Sequence, residues 1–148
     1  MHIEPETPDQ PEVAALLAQL HALLLALYPA ARRSPPALAA LQQPEVRFLV
    51  ARDDAGRAAG CVALKRHDGY GEAKCMVVDA AARGQGIGRA LLEQLALHAL
   101  AAGVHELRLT TGARQRDAIA LYERFGFTRC APYGGAVGAD EVCMEKRL

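Results

Sequence analysis

Two stretches of the chain carry residue types whose spacing can do chemistry. The first, Arg83-Gly84-Gln85-Gly86-Ile87-Gly88, follows a strand-like run and opens a helical one. Glycines let a backbone come close to a ligand, and a helix N-terminus offers unpaired N–H groups at the positive end of its dipole. Together they form a cradle for a pyrophosphate, with Arg83 and Arg89 adding charge. The alternative is a tight strand-to-helix turn that holds no ligand. A P-loop would place Lys and then Ser or Thr directly after the glycines, and neither is present. A dinucleotide fingerprint would follow the first strand of its unit, whereas this loop lies past mid-chain and has Arg at position 89. The second stretch runs from Ala118 to Phe127. Ala118, Leu121, Tyr122 and Phe125 fall at helical spacing, which puts Tyr122 on the core-facing stripe. A buried Tyr directs its hydroxyl to a partner or a cavity, so Tyr122 reads either as structural or as aimed at a site.

The elements that must position these residues can be read from periodicity and punctuation. Met1–Glu6 is a short strand. A helix starts at Asp9, carries Val13, Leu16, Leu17, Leu20, Leu23, Leu24 and Leu27 on one wide stripe, and stops at Pro29. Ser34 caps a short second helix that runs through Leu41. Val46–Arg52 and Ala58–Arg66 form a hairpin across Asp53-Asp54-Ala55-Gly56, and His67–Gly71 turns into a third strand, Glu72–Val78. After the glycine loop a helix runs from about Gly86 to Ala102 and ends at Gly103. His105–Thr110 is a strand and Gln115–Phe125 a helix closed by Gly126. Phe127–Cys130 and Glu141–Lys146 are strands joined by the loop Pro132–Asp140. This order predicts an α/β protein whose mixed sheet carries helices packed on it.

Composition bounds the possibilities. A chain of 148 residues suits one domain, 1–148, and buries enough surface to fold without a staple. Lys and Arg number 17, balanced by 17 Asp and Glu, which argues against a dedicated nucleic-acid or membrane-surface binder. Fourteen of the 17 basic residues are Arg, so an anion site would use forked donors. Cys61, Cys75, Cys130 and Cys143 form no Cys-x-x-Cys pair, and no metal site is expected. With no leader at the N-terminus and no apolar run long enough for a membrane span, the expectation is a cytoplasmic protein with reduced thiols.

Taken together, Arg83-x-x-Gly86-x-Gly88 and Ala118-x-x-Leu121-Tyr122-x-x-x-Gly126-Phe127 resemble the GCN5-related N-acetyltransferase (GNAT) superfamily. The resemblance covers roughly Glu72 to the C-terminus. It implies an α/β (α+β) acyl-CoA N-acyltransferase fold with a central mixed sheet of six or seven strands and about four helices. It implies acetyl-CoA as cosubstrate and transfer of acetyl to a primary amine of a small molecule or peptide, by direct attack in a ternary complex. Backbone groups of Met76, Val77 and Val78 would pair with the pantetheine arm like an added strand. The N–H groups of Gly84, Gln85, Gly86, Ile87, Gly88 and Arg89 would hold the pyrophosphate. Gln115 stands where many members carry Asn, a polar group that helps hold the cofactor. Tyr122 matches the usual general acid that protonates the expelled thiolate, and the Val78 N–H would polarise the carbonyl.

The base is Glu72, beside the thioester, or else Glu72 is a solvated strand-start residue; Glu141 is a second candidate. The segment Gly71–Val78 and the ending Met144-Glu145-Lys146 also look like a bacterial subgroup of small-molecule acetyltransferases. That subgroup often carries Arg, an aromatic and Glu where this chain has Cys75, Val77 and Thr110, departures that remove charge from the substrate cleft. Cys75 reads as a buried small hydrophobe and not as an acetyl-carrying nucleophile. His21, His67, His98 and His105 read as surface or packing residues, and Arg114 and Arg116 as solvated or near the ribose phosphate. Two other functions stay open: a CoA-binding sensor or interaction module, and an acetylating toxin acting on aminoacyl-tRNA through arginines between Arg108 and Arg129. The chain is expected to have no membrane partner, and both a monomer and a homodimer are consistent with it.

Overall fold

A computed structural model describes residues 1–30, 35–133, 138 and 140–148. Along the chain come β1 (His2–Pro5), α1 (Pro11–Leu27), the one-turn α2 (Leu38–Leu41), β2 (Val46–Arg52), β3 (Ala58–His67) and β4 (Tyr70–Val78). A 3-10 turn at Ala80–Ala82 leads into α3 (Ile87–Ala101), followed by β5 (Glu106–Gly112), α4 (Arg116–Phe125), the two-residue β6 (Thr128–Arg129) and β7 (Glu141–Arg147). The seven strands form one mixed sheet in the order β1-β2-β3-β4-β5-β7-β6. Only β4 and β5 run parallel; the other neighbours are antiparallel. Ser34 lies outside the described residues, but α2 starts at Leu38 with Ala37 as its N-cap, so the helix begins later than a cap at Ser34 would place it.

The helices cover both faces of the sheet. On one face Val13 and Leu16 of α1 pack with Phe48, Val50, Cys61, Ala63 and Val77. On the other, Leu91, Leu92 and Leu95 of α3 are fully buried against Leu49, Val62, Leu64, Leu107, Leu109 and Met144. A fully buried leucine contributes roughly 1.5–3 kcal/mol, so those three side chains anchor α3 firmly. α1 starts two residues later than its periodicity suggests, because Pro11 occupies the first turn and Gln10 gives it no side-chain cap. The sequence places β6 at Phe127–Cys130, but Phe127 is drawn into the core and its N–H bonds to the Tyr122 carbonyl.

Two local features shape the centre of the sheet. The turn between β3 and β4 is tighter than the expected His67–Gly71. It consists of Asp68 and Gly69 alone, with Gly69 at φ +85°, a left-handed conformation that glycine adopts without strain. His67 therefore pairs with Tyr70 as a strand residue. Further along, Cys61 pairs with Val77 and Ala63 with Lys74, which leaves one extra residue on β4. Cys75 sits at this bulge with φ +55°, and bulges bend the strand that carries them. β4 and β5 pair in register at Gly71–Leu107 and Glu72–Arg108, and the ladder goes no further. Past Glu72 the two strands part.

Candidate active site

A cleft of about 440 Å³ opens where β4 and β5 separate. Leu17, Leu20, His21 and Leu24 of α1 wall one side, Glu72–Met76 and Leu109–Gly112 line the parting strands, and Gln115 and Tyr122 close the other side. The glycine loop lies at the head of α3. Gly84 and Gly86 both have φ +79°, a left-handed conformation that a side chain would strain. The first helical bond runs from the Ala90 N–H to the Gly86 carbonyl. Among the described residues, no acceptor faces the backbone N–H groups from Gly84 to Arg89, and the first turn of α3 carries no acidic side chain. Such a row of free donors could hold an anion.

The members of the loop differ in what they contribute. The Ile87 side chain is buried in the core, so only its N–H faces the loop. A Cβ on Gly88 would lie 2.8 Å from Leu121 Cδ2, which ties this glycine to the close packing of α3 on α4. Arg83 Nε donates to the Val78 carbonyl at 3.5 Å. Arg89 Nε donates to Glu93 Oε1 at 3.2 Å and its guanidinium sits over the Phe125 ring, so its charge is partly engaged. The Asp79 N–H bonds to the Ala59 carbonyl, and strand alternation then turns the Val77 peptide groups toward β3. Those of Met76 and Val78 point instead to the open side, where an extended ligand could pair with them.

Tyr122 lines the cleft from α4 at 7% exposure, edge-on to Phe127 at 5.8 Å. Burial pushes its hydroxyl up to about 12, so it keeps its proton across the neutral range. Gln115, the N-cap of α4, uses its side-chain oxygen on the end of β5: Oε1 accepts the Thr111 hydroxyl at 3.0 Å and the Gly112 N–H at 2.9 Å. Its amide NH2 is left for the cleft, which it also lines.

Glu72 sits where the β4–β5 ladder ends, on the face covered by α1, since it pairs across with Lys65 and lies beside Arg108. It is far from a solvated strand start, with a side chain only 17% exposed. His67 Nε2 lies 2.8 Å from Glu72 Oε1, and the Tyr133 hydroxyl donates to Glu72 Oε2 at 3.5 Å. Thr110 Oγ1 donates in turn to the Tyr133 oxygen at 3.3 Å. Burial raises the Tyr133 hydroxyl far above its ordinary value, so it remains a donor. Glu141 reaches the cleft rim and accepts the Gly138 N–H at 3.4 Å.

His67 and Tyr133 are the contacts of Glu72 that sequence reasoning misses. The Asp68-Gly69 pair carries the signal for His67, because a two-residue turn places it on a strand beside Glu72. Nothing local marks Tyr133. Arg114 is exposed, as a solvated arginine would be, and its guanidinium donates to the Leu27 carbonyl at 2.7 Å and lies over the Tyr28 ring, pinning the end of α1. Cys75 lines the cleft, and burial raises its thiol, which keeps it protonated and unreactive. Val77, by contrast, is buried under α1 and is not a cleft residue.

A mixed sheet that splits at its parallel pair, with a glycine loop heading the next helix, defines a CoA-dependent acyltransferase class. Comparison with known proteins is specific. The acetyltransferase (GNAT) domain profile matches residues 44–129. An IAA acetyltransferase of Azospirillum brasilense is 43% identical over 147 residues, covering 97% of this chain and 95% of that one. The N-acetyltransferase YsnE of Bacillus subtilis is 33% identical over 160 residues and spans the whole of both chains. A solved structure from Klebsiella pneumoniae, described as a candidate acyl-CoA N-acyltransferase, superposes with a TM-score of 0.84 at 35% identity. It covers 99% of this chain and 97% of that one. The chain belongs to the GNAT acetyltransferase family. It is an N-acetyltransferase whose acyl donor is acetyl-CoA. Among the described residues, no helix is long and apolar enough to cross a membrane.

Proposed function

We propose that residues 1–148 act as a single domain that acetylates the primary amine of a small molecule or peptide by direct attack in a ternary complex. The observation that carries this reading is the arrangement around the strand split. Glu72 enters the cleft on the α1 face and Tyr122 enters it from α4, so a base and an acid flank one opening. The residues present suit the donor. The free N–H groups from Gly84 to Arg89 would take the pyrophosphate, the open-side peptide groups of Met76 and Val78 the pantetheine arm, and the Gln115 amide NH2 a further polar contact. In this reading Val77 is a neighbour of the arm rather than a partner, and Arg83 adds charge beside it.

Bound acetyl-CoA supplies a thioester carbonyl for attack and a thiolate to be expelled. Glu72 takes the proton that an alkylammonium must lose before its nitrogen can attack. The Val78 N–H, turned to the open side, donates to the carbonyl oxygen as negative charge develops on it. The Tyr122 hydroxyl, held neutral by burial, donates to the departing sulfur. Leu17, Leu20 and Leu24 give the acceptor side an apolar wall, and Lys74 places a cation at its edge. The acceptor that fits is an amine on an apolar body.

The aminoacyl-tRNA alternative draws less support, because two of its arginines are engaged. Arg108 bonds to Glu106 at 3.4 Å and lies over the Tyr70 ring, while Arg114 holds α1. The test is thiol release from acetyl-CoA with 2-phenylethylamine, tryptamine, phenylalanine amide and an alanyl peptide. Turnover of at least one aryl-bearing amine is expected. Release no faster than acceptor-free hydrolysis across the whole panel would refute the amine reading.

A further inference from the structure

We propose that His67 is the positioning residue of Glu72: its Nε2–H holds Oε1 so that the carboxylate stays oriented toward the acceptor cleft. This rests on the reading of Glu72 as the base. The bond is short, 2.8 Å, and both side chains are largely shielded, His67 at 28% and Glu72 at 17% exposure. The imidazole is not free to swing. It stacks on Tyr70 with ring centroids 4.7 Å apart and planes 13° apart, across the tight Asp68-Gly69 turn. Tyr70 is itself held edge-on by Tyr133 at 5.4 Å and covered by the Arg108 guanidinium at 4.7 Å. Tyr133, which donates to the other carboxylate oxygen, thus braces both members of the pair.

A carboxylate oxygen has two lone pairs, so donors at Oε1 and Oε2 still leave acceptor capacity for a substrate proton. The two donors lock the rotation of the carboxyl group, and a misplacement of about 1 Å at a reacting group can cost on the order of 100-fold in rate. The groups that face His67 are Glu72 and Tyr70 from β4, His105 and Glu106 at the start of β5, and Arg147 from β7. Arg66 lies on its own strand. His105, Glu106 and Arg147 share with it a groove at the end of the sheet opposite the split. Glu72 is the partner at hydrogen-bonding distance.

The experiment compares wild type with His67→Leu, His67→Gln and Glu72→Gln, using acetyl-CoA and the aryl amine turned over fastest in the panel above. His67→Gln keeps a donor at similar reach, whereas His67→Leu removes it. The expected result for His67→Leu is a roughly 10- to 100-fold loss in kcat, unchanged acetyl-CoA affinity, and an acid limb of the kcat/KM profile moved to higher pH. His67→Gln should restore kcat to within about threefold of wild type. In the ligand-free wild type, the His67 Nε2 proton should give a slowly exchanging NMR signal that Glu72→Gln abolishes or broadens. Wild-type rates for His67→Leu, with Glu72→Gln inactive, would overturn the positioning role alone. Wild-type rates for Glu72→Gln would overturn the base assignment and this proposal with it. Should His67→Leu fail to fold, His67→Gln and the Nε2 signal still decide: a His67→Gln as slow as Glu72→Gln, or a His67 ring protonated at Nδ1 alone, refutes the donor.

Discussion

Tyr122 is where burial and chemistry meet most directly. A phenol raised to about 12 by burial cannot ionise at neutral pH, which suits the donor role proposed for it and not that of a base. Tyr122→Phe is expected to lower kcat by roughly 100-fold or more while acetyl-CoA affinity stays within about twofold; calorimetric titration beside steady-state rates checks both. The same burial has a consequence for stability. Because the folded-state value lies above that of the unfolded chain, near 10, the stabilisation is fully present below pH 10 and is lost as pH climbs toward 12. Roughly 2–3 kcal/mol should go in that window, and Tyr122→Phe should flatten the loss in denaturant titrations at pH 9 to 12. Tyr122 can be recognised from sequence because its spacing within one helix says which face it occupies. Tyr133 cannot, since 61 residues separate it from the Glu72 carboxylate it contacts. That contact exists only once β4 and the segment after β6 lie side by side.

At the scale of elements, two junctions govern the site. One is the head of α3, where Gly86 acts as N-cap in the left-handed region. A Cβ there would meet nothing within 4 Å, so Gly86→Val fails through backbone strain and not through collision. Strain of about 1–2 kcal/mol would redirect the row of N–H groups. Acetyl-CoA binding is expected to weaken by at least about tenfold, while far-ultraviolet circular dichroism shows the fold retained. The other junction is the N-terminus of α1, which forms the acceptor wall. Arg52 clasps Glu6 at 2.9 Å and Glu12 at 3.3 Å and donates to the Gly56 carbonyl at 2.7 Å, joining that helix to the β2–β3 hairpin. Hydrogen bonds from Arg52 hold Glu6 below the usual carboxylate range, and for Glu12 the Ala58 N–H contributes most, with Arg52 next. Stability from a lowered carboxylate is present above its unfolded value and fades as pH falls through the folded one. Arg52→Gln should therefore lower the melting midpoint at pH 7 and make a smaller difference below pH 4, a trend that thermal scans across pH measure. The helices and strands themselves are legible in the sequence to within a few residues. The bulge at Cys75 is not, because it is a shift in the pairing of β3 with β4 and no local pattern in either strand records it.

For the whole molecule, the sheet serves as both scaffold and site, since the same seven strands carry the two apolar clusters and part to make the cleft. A donor bound at 100 times its dissociation constant adds about 2.7 kcal/mol, which should raise the melting midpoint by roughly 5–10 °C. Acetyl-CoA and CoA should both produce this shift and NAD should not; equal shifts with all three would show that the glycine loop does not discriminate its ligand. The sequence by itself determined the glycine loop ahead of α3, the Tyr122 helix, the succession of strands and helices and hence the family, because each is written in spacings within a single turn, helix or strand. Only the tertiary structure decided where the strands part, which side of the sheet Glu72 faces, what braces it, and that Arg114 holds α1 and stays out of the cleft. Those outcomes depend on pairings between segments far apart in the chain. They are set by which residues the closed core brings within hydrogen-bonding distance, and no local pattern records that.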